Sequence, residues 1–538
     1  MLDQGLRPPA NLTKLAALHP ARGFVSMQRY DADDFELSPE GPRFWTRDSL
    51  RHVVERVLGR RHFIVVSNRE PYVHRLEGEE IVCERSISGV VTALEPVMRV
   101  CGGTWIAHGS GNADRDVVDR HDHVLVPPRH PEYTLRRVWL GKADEDGYYY
   151  GFANRALWPL CHIAYHRPFF EAEDWEAYRR VNRQFADAVL DEIRGQTAIV
   201  LIQDYHFALL SSLLRQANPK LLLAQFWHIP WANPETFRVC PWQEEILAGL
   251  LGNDLLGFHI RRHCENFLET VNTGIEALVD HEHFSVTRAG HTTLVRPFPI
   301  SLDIEGISEQ AASRETSERT AQLRQQLGVA NQGVLLGVDR IDYTKGIPER
   351  LRAIDRLLEQ HPEYAGKICF VQIAAPSRMR LQRYQALANE IESLVEEINW
   401  KHALARWMPI IYRKGQYSLD DVLAFYRLAD VCVVSSLHDG MNLVAKEYVA
   451  ARADGDGVLV LSRFTGAARE LEHSLQINPY AVDEMAATLH QALSMGEAER
   501  RARMSALREI ISRNNIYRWA GKIVTELGRI AARRELET

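Results

Sequence analysis

The sequence of 538 residues has few cysteines, no long apolar run and no excess of positive charge. Its seven cysteines are scattered and none lies in a Cys-x-x-Cys pair, which argues against disulfides or a zinc site and for a reducing compartment. No uninterrupted apolar run approaches the ~18 residues that span a bilayer, and the first residues lack the apolar core of a signal peptide. We therefore expect a cytoplasmic protein that does not associate with membranes.

The net charge of -7 and the 25% share of charged residues give no sign of a nucleic-acid-binding surface or a basic membrane anchor. The 46% share of hydrophobic residues argues against disorder. We find no repeat of short period and no low-complexity tract. A chain of this length exceeds the size at which a single core stops growing, so we expect two globular domains.

Strand-like runs alternate with helical patterns along two stretches of the chain, which predicts an α/β fold. The helical patterns cover 175–193 in the first stretch and 348–359 and 381–398 in the second. The strand-like runs are 63–67, 103–107, 198–203, 221–227 and 254–258, then one from Val334, 368–373, 431–435 and 458–461. We therefore predict two doubly wound, Rossmann-like domains that face a central cleft.

Composition indicates where these domains begin and end. The first 60 residues are rich in Pro, Arg and Asp with weak periodicity, so we expect an arm there and a fold that starts at Phe63. A polar segment, 305–332, contains a helical pattern and marks the boundary between the domains. One long helical pattern follows Gly496 and is expected to cross back onto the first domain. The predicted units are 1–60, 61–303, 304–505 and 506–538.

The most informative motif is Val338-Asp-Arg-Ile-Asp-Tyr-Thr-Lys-Gly346, which follows an apolar run. Arg340 therefore lies at the carboxyl end of a strand, where open α/β sheets bind ligands, and Lys345 follows five residues later. Two cations this close can hold a diphosphate and neutralise the charge that develops as it leaves. We expect no metal and no cofactor to be required.

A second motif, Asp439-Gly-Met-Asn-Leu-Val-Ala-Lys-Glu447, follows another strand and enters a helix near Asn442. Gly440 lets the chain approach a ligand closely, and a helix N-terminus favours negative charge. Asp439 and Glu447 can take sugar hydroxyls and a ribose. Each motif alone is more often a plain turn or a solvated face, but the two together predict a nucleotide-sugar site.

These motifs belong to an ordered series along residues 62 to 525, by which the chain resembles the trehalose-6-phosphate synthase family. The series is Val66-Ser-Asn-Arg69, Asn154-Arg-Ala-Leu-Trp-Pro159, Gln203-Asp-Tyr-His206, His228-Ile-Pro230, Gly257-Phe-His259, the two motifs above, Ser377-Arg378 and Ser462-Arg-Phe-Thr-Gly466. The resemblance implies a retaining glycosyltransferase with two Rossmann-like domains (GT-B), of which the first binds the acceptor and the second the nucleotide-sugar donor.

The resemblance also implies roles for individual residues on the donor side. Arg340 and Lys345 would be catalytic and bind the donor diphosphate, and His228 and Asp204 would contribute to catalysis from the first domain. The other expected donor contacts are Gly89, Asp439, Gly440, Met441, Asn442, Leu443 and Glu447. His228 has the alternative of a purely structural role at a strand end, and Asp204 the alternative of capping the helix that follows.

On the acceptor side, arginine and aromatic hydroxyl groups would hold a phosphate, since the arginine fork meets phosphate oxygens bidentately. The expected acceptor residues are Arg69, His108, Tyr149, Trp158, Asp204 and Arg378. Three positions depart from the family pattern, in which Gly-Gly stands at Ser88-Gly89, a tryptophan at His108 and an arginine at His438. The change at His108 leaves the acceptor open between glucose 6-phosphate and glycerol 3-phosphate.

The resemblance favours transfer of glucose from UDP-glucose to glucose 6-phosphate, giving α,α-trehalose 6-phosphate, a product associated with osmoprotection. The sister activity, glucosylglycerol-phosphate synthesis, is the first alternative, and a non-catalytic sugar-phosphate sensor the second. GDP- and ADP-glucose stay open as donors. The expected partners are the two substrates and further copies of the chain in a dimer or tetramer, with no nucleic acid and no membrane.

Overall fold

The computed structural model describes residues 45–59, 61–86, 89–163 and 165–537. The chain divides into residues 1–43 and one compact unit, Phe44–Thr538. Most of the predicted arm therefore lies outside the described residues. The predicted limits at 303/304 and 505/506 stay predictions.

The first sheet has ten strands in the order β10-β11-β12-β9-β8-β7-β1-β4-β6-β5, and β2 and β3 form a separate hairpin. Its central pairs, from β9 to β4 and β6, are parallel, and antiparallel pairs lie at both edges. The strands are β1 (His62–Arg69), β2 (Tyr72–Glu77), β3 (Glu80–Arg85), β4 (Thr104–His108), β5 (His123–Val126), β6 (Tyr133–Val138), β7 (Ala198–Gln203), β8 (Leu222–Phe226), β9 (Leu255–Phe258), β10 (Leu278–Asp280), β11 (Ser285–Arg288) and β12 (His291–Pro297).

The second sheet has six strands, all parallel, in the order β15-β14-β13-β16-β17-β18. The strands are β13 (Gly333–Arg340), β14 (Ile368–Ala375), β15 (Ile410–Lys414), β16 (Val431–Val434), β17 (Val458–Ser462) and β18 (Leu475–Ile477). Two mainly parallel sheets, each with helices between its strands, confirm the predicted fold class.

Helices cover the sheets and connect their strands. They are α1 (Arg47–Leu58), α2 (Gly89–Cys101), α3 (Lys142–Glu145), α4 (Trp158–His162), α5 (Ala172–Ile193), α6 (Leu210–Ala217), α7 (Pro234–Phe237), α8 (Gln243–Leu250), α9 (Arg261–Gly274), α10 (Ile304–Ala312), α11 (Arg314–Gln326), α12 (Ile347–Gln360), α13 (Gln382–His402), α14 (Leu419–Leu428), α15 (Leu443–Ala451), α16 (Val482–Ser494), α17 (Glu497–Arg513) and α18 (Ile516–Glu537). A π-helical segment, Asp146–Leu157, leads into α4.

The central strands are buried on both faces, which is why they are continuous apolar runs and were predictable from sequence. Every residue of β7, β8 and β9 is buried. In β1, Ile64 and Val66 enter the core on one face of the sheet, while Phe63 and Val65 enter the core on the other. Burial on both faces fixes the strands and, with them, the loops at their carboxyl ends.

The fold starts earlier than Phe63, so that prediction was wrong. Residues 47–58 form α1, which begins with a capping box at Thr46 and buries Leu50, Val53 and Val54. It packs against α18, which also contacts α2 and β8. The amphipathic spacing of its apolar residues was the signal that the weak overall periodicity of 1–60 concealed.

The helical pattern after Gly496 is two helices and not one. The break lies at Asn514 and Asn515, where the Asn515 side chain donates to the carbonyl of Trp45 at 2.7 Å and accepts from the backbone amide of Arg518 at 3.0 Å. Asparagine competes with helical hydrogen bonds in this way at helix ends. The break redirects the chain into α18.

Candidate active site

The predicted site residues lie at the carboxyl ends of strands in both sheets, as the α/β fold requires. Arg69 ends β1 and His108 ends β4, while Asp204 and His228 follow β7 and β8. Arg340 ends β13, and Asp439 follows β16. The two ends meet: a side chain placed on Gly440 would come within 2.3 Å of the carbonyl oxygen of His228. Gly440 is therefore a point of close backbone approach between the two sheets, while its predicted approach to a ligand stays a prediction.

The turn after β13 carries the two predicted cations. Asp342 caps a short 3₁₀ turn, Tyr343–Lys345, and accepts from the amide and hydroxyl of Thr344 at 3.1 and 2.9 Å. Gly346 ends the turn with a φ of 63°, and a side chain there would meet the Ser435 carbonyl. This geometry directs Lys345 towards the loop after β16.

Asp439 is an ionised carboxylate held by that lysine. Its Oδ2 lies 2.5 Å from Lys345 Nζ and accepts from the Asn442 side chain at 3.1 Å. Burial opposes ionisation, but Lys345 outweighs it and holds the pKa of Asp439 well below its ordinary value. Asn442 in turn caps α15 with its side-chain oxygen, from a backbone with a φ of 81°.

The first residues of two helices lie close together next to this pair. A side chain on Gly89, the first residue of α2, would come within 3.3 Å of the side chain of Leu443, the first residue of α15. Backbone amides at helix N-termini bind anions, so these two N-termini suit phosphate groups. Met441 is buried beneath it. Ser88, one of the departures from the family pattern, lies outside the described residues.

Glu447 lies on the first turns of α15. Tyr426 donates its hydroxyl to Glu447 Oε2 at 2.9 Å. Burial raises the pKa of Glu447 above its ordinary value, so the carboxyl group takes charge less readily than a solvated one. A hydrogen bond from a ligand hydroxyl would compensate that cost.

Arg378 joins the two halves of the molecule. Its guanidinium donates to Asp342 Oδ2 at 2.9 Å, to the Tyr384 hydroxyl at 2.7 Å and to the Tyr205 hydroxyl at 3.4 Å. It also lies 4.1 Å above the indole of Trp158. Its Nε is buried and has no hydrogen-bond partner among the described residues. A buried guanidinium nitrogen without a partner is an open position for an anion.

Arg340 reaches the same indole from the donor side, with its guanidinium 5.6 Å from the ring of Trp158. Trp158 donates weakly to Asp342 Oδ1 at 3.4 Å. The two arginines therefore share one aromatic platform and one buried carboxylate. Burial would raise the pKa of Asp342, but Arg378, Arg340 and Lys345 lower it. Because Lys345 is already paired with Asp439, Asp342 is left to face the two arginines, and the pocket stays positive.

Tyr149 lies in the field of the same arginines. Burial would raise the pKa of its phenol, but Arg378, Arg69 and Arg340 outweigh burial and lower that pKa to about 7. Tyr149 stacks on His206 at 5.8 Å. Three arginines around one hydroxyl make a site for a dianion such as a phosphate monoester.

Asp204 and His228 face the cleft from the first sheet. Asp204 accepts from the backbone amides of Tyr205 and His228 at 2.9 and 3.2 Å, and burial raises its pKa to about 7. The His228 Nε2 atom lies 2.8 Å from the Gln203 side-chain oxygen, so Nε2 carries the proton and Nδ1 is an acceptor. Burial lowers the pKa of His228 to about 3 and keeps the ring neutral. Asp204 thus does cap the next turn, and both side chains are also placed at the cleft.

His108 lies beside Arg69, its partner in the β1–β4 register. Its Nδ1 lies 3.2 Å from the carbonyl of Val138, which can only accept, so Nδ1 carries the proton. Burial lowers the pKa of His108, and the neutral ring therefore has Nε2 as an acceptor. The family pattern has an indole at this position, which donates a hydrogen bond, whereas the Nε2 atom of His108 accepts one.

Sequence reasoning assigned no role to three residues that complete this site. Asp342, Tyr205 and Tyr384 bind Arg378 and so connect the predicted donor and acceptor residues. Asp342 lies inside the first motif, between Arg340 and Lys345. Its role could have been predicted there, because a carboxylate between two cations is expected to pair with cationic groups. No sequence signal marks Tyr384, which lies in α13.

The described residues contain no group of three His, Cys, Asp or Glu side chains placed to hold a metal ion. Across the same residues, no helix combines the length and apolar character needed to cross a membrane. The requirement for a metal or cofactor stays a prediction.

Comparison with known proteins places the chain in a family. The model of glycosyltransferase family 20 matches residues 61–529. Trehalose-6-phosphate synthase of Mycobacterium avium is 39% identical over 477 residues, which are 87% of this chain and 96% of that protein. The same enzyme of Mycobacterium marinum is 38% identical over 490 residues, 89% of this chain and 96% of that protein.

Two solved structures show the same fold. One, described as "Trehalose-6-phosphate from E. coli bound with UDP-2-fluoro glucose", has a TM-score of 0.77 at 33% identity and covers 87% of this chain and 99% of that one. The other is an α,α-trehalose-phosphate synthase (UDP-forming) from Burkholderia xenovorans in complex with glucose-6-phosphate, with a TM-score of 0.78 at 31% identity, 87% of this chain and 99% of that one.

Proposed function

The chain belongs to glycosyltransferase family 20, and we propose that it transfers glucose from a nucleotide-glucose, first of all UDP-glucose, to glucose 6-phosphate. The products are α,α-trehalose 6-phosphate and the nucleoside diphosphate. Relatives that span nearly the whole chain bear the name trehalose-6-phosphate synthase, and solved relatives bind UDP-2-fluoro glucose and glucose-6-phosphate. These names support the choice of both substrates.

One observation carries the proposal: Arg340 stands between two differently built positive sites. On one side, Lys345 and the neighbouring N-termini of α2 and α15 suit a diphosphate. On the other side, Arg378 and Arg69 surround the Tyr149 hydroxyl and suit a phosphate monoester. An enzyme that joins a sugar diphosphate to a sugar phosphate needs both sites within one sugar's length of each other.

The donor-side residues have separate tasks in this proposal. Arg340 and Lys345 stabilise the negative charge that develops on the leaving diphosphate. The backbone amides of 440–443 hold phosphate and glucose groups, and Asp439 accepts glucose hydroxyls. Glu447 accepts the ribose hydroxyls, which restores the hydrogen bonds lost when its carboxyl group was buried.

The glucose keeps its α configuration in this proposal because the acceptor hydroxyl approaches the anomeric carbon on the face that the diphosphate leaves. The bond between glucose C1 and the diphosphate oxygen breaks, and the anomeric hydroxyl of glucose 6-phosphate forms the new bond on the same face. The departing phosphate oxygen accepts the proton of that hydroxyl. Arg340 and Lys345 hold the phosphate in place throughout, which keeps the base next to the acceptor.

The first sheet supplies the acceptor side and the groups around the donor glucose. Arg69, Tyr149 and Arg378 grip the phosphate, and Trp158 forms the wall on which both arginines lie. Asp204 and the neutral ring of His228 accept and position sugar hydroxyls. His108 contributes a nitrogen that accepts hydrogen bonds beside Arg69. This change favours a hydroxyl group of a small polar acceptor substrate.

The test is a transfer assay that crosses UDP-, GDP- and ADP-glucose with glucose 6-phosphate and glycerol 3-phosphate, following nucleotide release and the sugar phosphate formed. We expect transfer to glucose 6-phosphate, with UDP-glucose the best donor. Transfer to glycerol 3-phosphate alone would make His108 the acceptor switch and replace the proposed product. Absence of transfer in every combination would favour a sugar-phosphate sensor.

The proposal includes a cytoplasmic homo-oligomer, dimer or tetramer, that needs neither a metal nor a cofactor. The cysteines among the described residues are free thiols, which is typical of a reducing compartment. Light scattering of the purified protein measures the oligomeric state. Assays with a chelator in excess test the metal: an unchanged rate is expected, and a loss restored by one divalent ion would contradict it.

A further inference from the structure

A cluster of four polar side chains lies behind Arg69 and His108, and its four members are fully or nearly fully buried. Arg137, on β6, is its centre. Its Nε donates to Glu70 Oε2 at 2.8 Å, and its Nη2 lies 2.8 Å from both Asp114 Oδ1 and His74 Nδ1. Since arginine only donates, Nδ1 of His74 is the acceptor in its contact with Arg137.

The cluster fixes both strands that carry predicted acceptor residues. Glu70 directly follows Arg69, and its Oε1 accepts from the amide and hydroxyl of Ser110 at 2.8 and 3.0 Å. Asp114 accepts from the amides of Gly111 and His74 at 2.6 and 2.7 Å. The end of β1 and the loop after β4 are thus tied to one arginine.

The glycines around Ser110 are required by this packing. A side chain on Gly109 would meet the ring of Trp139 at 2.5 Å and the Arg137 side chain at 3.2 Å. A side chain on Gly111 would meet the carbonyl of His74 at 2.3 Å. The loop therefore lies flat against the cluster, with His108 at its start.

We propose that Arg137 and Glu70 are positioning residues for the acceptor: they set the relative placement of Arg69 and His108 and thereby the affinity for a sugar-phosphate dianion. The inference rests on the proposed function for the identity of that dianion. Neither residue touches the substrate, because both side chains are buried behind the strand ends. Their effect reaches the acceptor through the backbone of residues 69–70 and 108–110.

The cluster also holds a proton. Glu70 and Asp114 both lie 2.8 Å from Arg137, and a single arginine balances only one of two negative charges. Burial and the neighbouring Asp114 raise the pKa of Glu70 to about 7, while hydrogen bonds and Arg137 lower the pKa of Asp114. Glu70 therefore carries the proton below neutral pH.

Loss of that proton leaves a net negative charge in the cluster. The groups that face Glu70 are Arg137 from β6, Asp114 from the turn after β4, His74 from β2 and Cys83 from β3. Arg137 is the cation among them. Above pH 7 the two carboxylates repel each other and loosen the loop that carries Ser110, so affinity for the acceptor falls as pH rises.

The first experiment measures the Kd of glucose 6-phosphate by calorimetry, with nucleoside diphosphate present, for Arg137→Met and Arg137→Lys. We expect at least a tenfold rise in this Kd and less than a twofold change in the Kd of the nucleotide. Arg136→Met is the matched control, because Arg136 lies on the same strand but binds Glu192 on the other face. Equal effects at positions 136 and 137, or an unchanged acceptor Kd, would overturn the proposal.

The second experiment uses Glu70→Gln, which keeps the shape of the protonated carboxyl group and cannot ionise. The phosphate of the ligand titrates near pH 6 in any case, and the comparison with the wild type removes its contribution. We expect equal Kd values at pH 6 and a Kd several-fold higher for the wild type at pH 8. If the ratio of the wild-type Kd to the Glu70→Gln Kd were the same at pH 6 and pH 8, the positioning role of Glu70 would be refuted.

The two proposals fail in different ways. If the wild type binds glucose 6-phosphate but never transfers glucose, the proposed function is wrong, while the Kd comparisons still decide this inference. If the wild type transfers glucose and Arg137→Met binds the acceptor normally, only this inference is wrong. A variant that does not fold is replaced by Glu70→Gln, which leaves Arg137 paired with Asp114.

Discussion

The two halves of the molecule bury charge in different ways. In the second half, buried cations are matched one to one: Arg350 Nη1 lies 2.7 Å from Asp339, Lys345 pairs with Asp439, and Lys446 pairs with Glu470 at 2.6 Å. In the first half, one arginine, Arg137, meets two carboxylates. These three pairs of the second half are thus charge-balanced, while the Arg137 cluster has one more carboxyl group than it has cations.

The two halves also differ in their number of buried neutral histidines. Burial lowers the pKa of several histidines and keeps them neutral, and among those described only His438 lies in the second half. Those of the first half are His108, His162, His166, His206, His228, His259, His263 and His291. The half proposed to bind a phosphate monoester therefore holds most of the histidines that burial keeps neutral.

Arg350 is the donor-side counterpart of Arg137 and gives the largest expected effect. It donates to Asp339 and Gln372 at 2.7 and 2.9 Å and to Ser435 at 2.9 Å, directly behind Arg340. Arg350→Met leaves Asp339 buried without a partner, so we expect a loss of about 3–5 kcal/mol in the free energy of unfolding. Urea denaturation measures it.

The control for Arg350 lies one half-turn along α12. Arg352 pairs with Glu390, and both side chains are nearly half exposed, 45% and 47%. Arg352→Ala should change the free energy of unfolding by about 0.5 kcal/mol or less. If Arg350→Met were as mild as Arg352→Ala, the buried pair would contribute nothing to the donor half.

Arg340 gives the next effect, on turnover rather than stability. Arg340→Ala removes one charge that stabilises the leaving diphosphate, and we expect turnover to fall by about 10²-fold or more. Steady-state kinetics with saturating donor and acceptor measure this change. Arg380→Ala, which removes an exposed arginine paired with Asp146, should leave turnover within a factor of two. Near-normal turnover of Arg340→Ala would remove this residue from catalysis.

The buried histidines predict a loss of stability in acid. Burial, with His438 and His162, lowers the pKa of His263 to about 3, from an ordinary value of 6.5. Its contribution to stability is present above pH 6.5 and is lost as pH falls below that value, reaching about 2 kcal/mol at pH 5. His263→Gln should lessen the acid loss by up to this amount, whereas replacement of the exposed His473 should not. Urea titrations at pH 5 and 8 measure the free energy of unfolding of the wild type and of both variants.

The smallest effect compares two glycines of β13. A side chain on Gly337 would come within 2.1 Å of the Arg350 guanidinium, whereas one on Gly333 meets its nearest atom at 3.8 Å. We expect Gly337→Ala to cost about 1–3 kcal/mol and Gly333→Ala about 0.5 kcal/mol or less. Equal thermal stability of the two variants would show that Arg350 can move aside, which would weaken its role as a fixed support.

The sequence predicted the central strands and the residues at their ends, because continuous apolar runs and strand-end cations are local signals. Arg340, Lys345 and Asp439 were found in this way, and the structure brings them together. Glu70 and Arg137 were missed, since they lie 67 residues apart and the alternating strand β6 was not predicted. Contacts of this kind depend on the sheet order, which local patterns do not contain.

The α1 helix and the break at Asn515 were missed for a different reason. Weak periodicity averaged over 60 residues hid an amphipathic stretch of 12 residues. The two asparagines lie inside an otherwise helical pattern, and only the contact between Asn515 and the Trp45 carbonyl shows why the helix stops there. Both features depend on packing between the first and last described segments of the chain.

Transfer of glucose with retention is tested most directly by the structure of the product. The protein would be incubated with UDP-glucose and glucose 6-phosphate, and the disaccharide phosphate examined by nuclear magnetic resonance. We predict α,α-trehalose 6-phosphate, formed in equal amount with UDP. A β-linked product, or release of UDP and free glucose without a disaccharide, would contradict the proposed reaction.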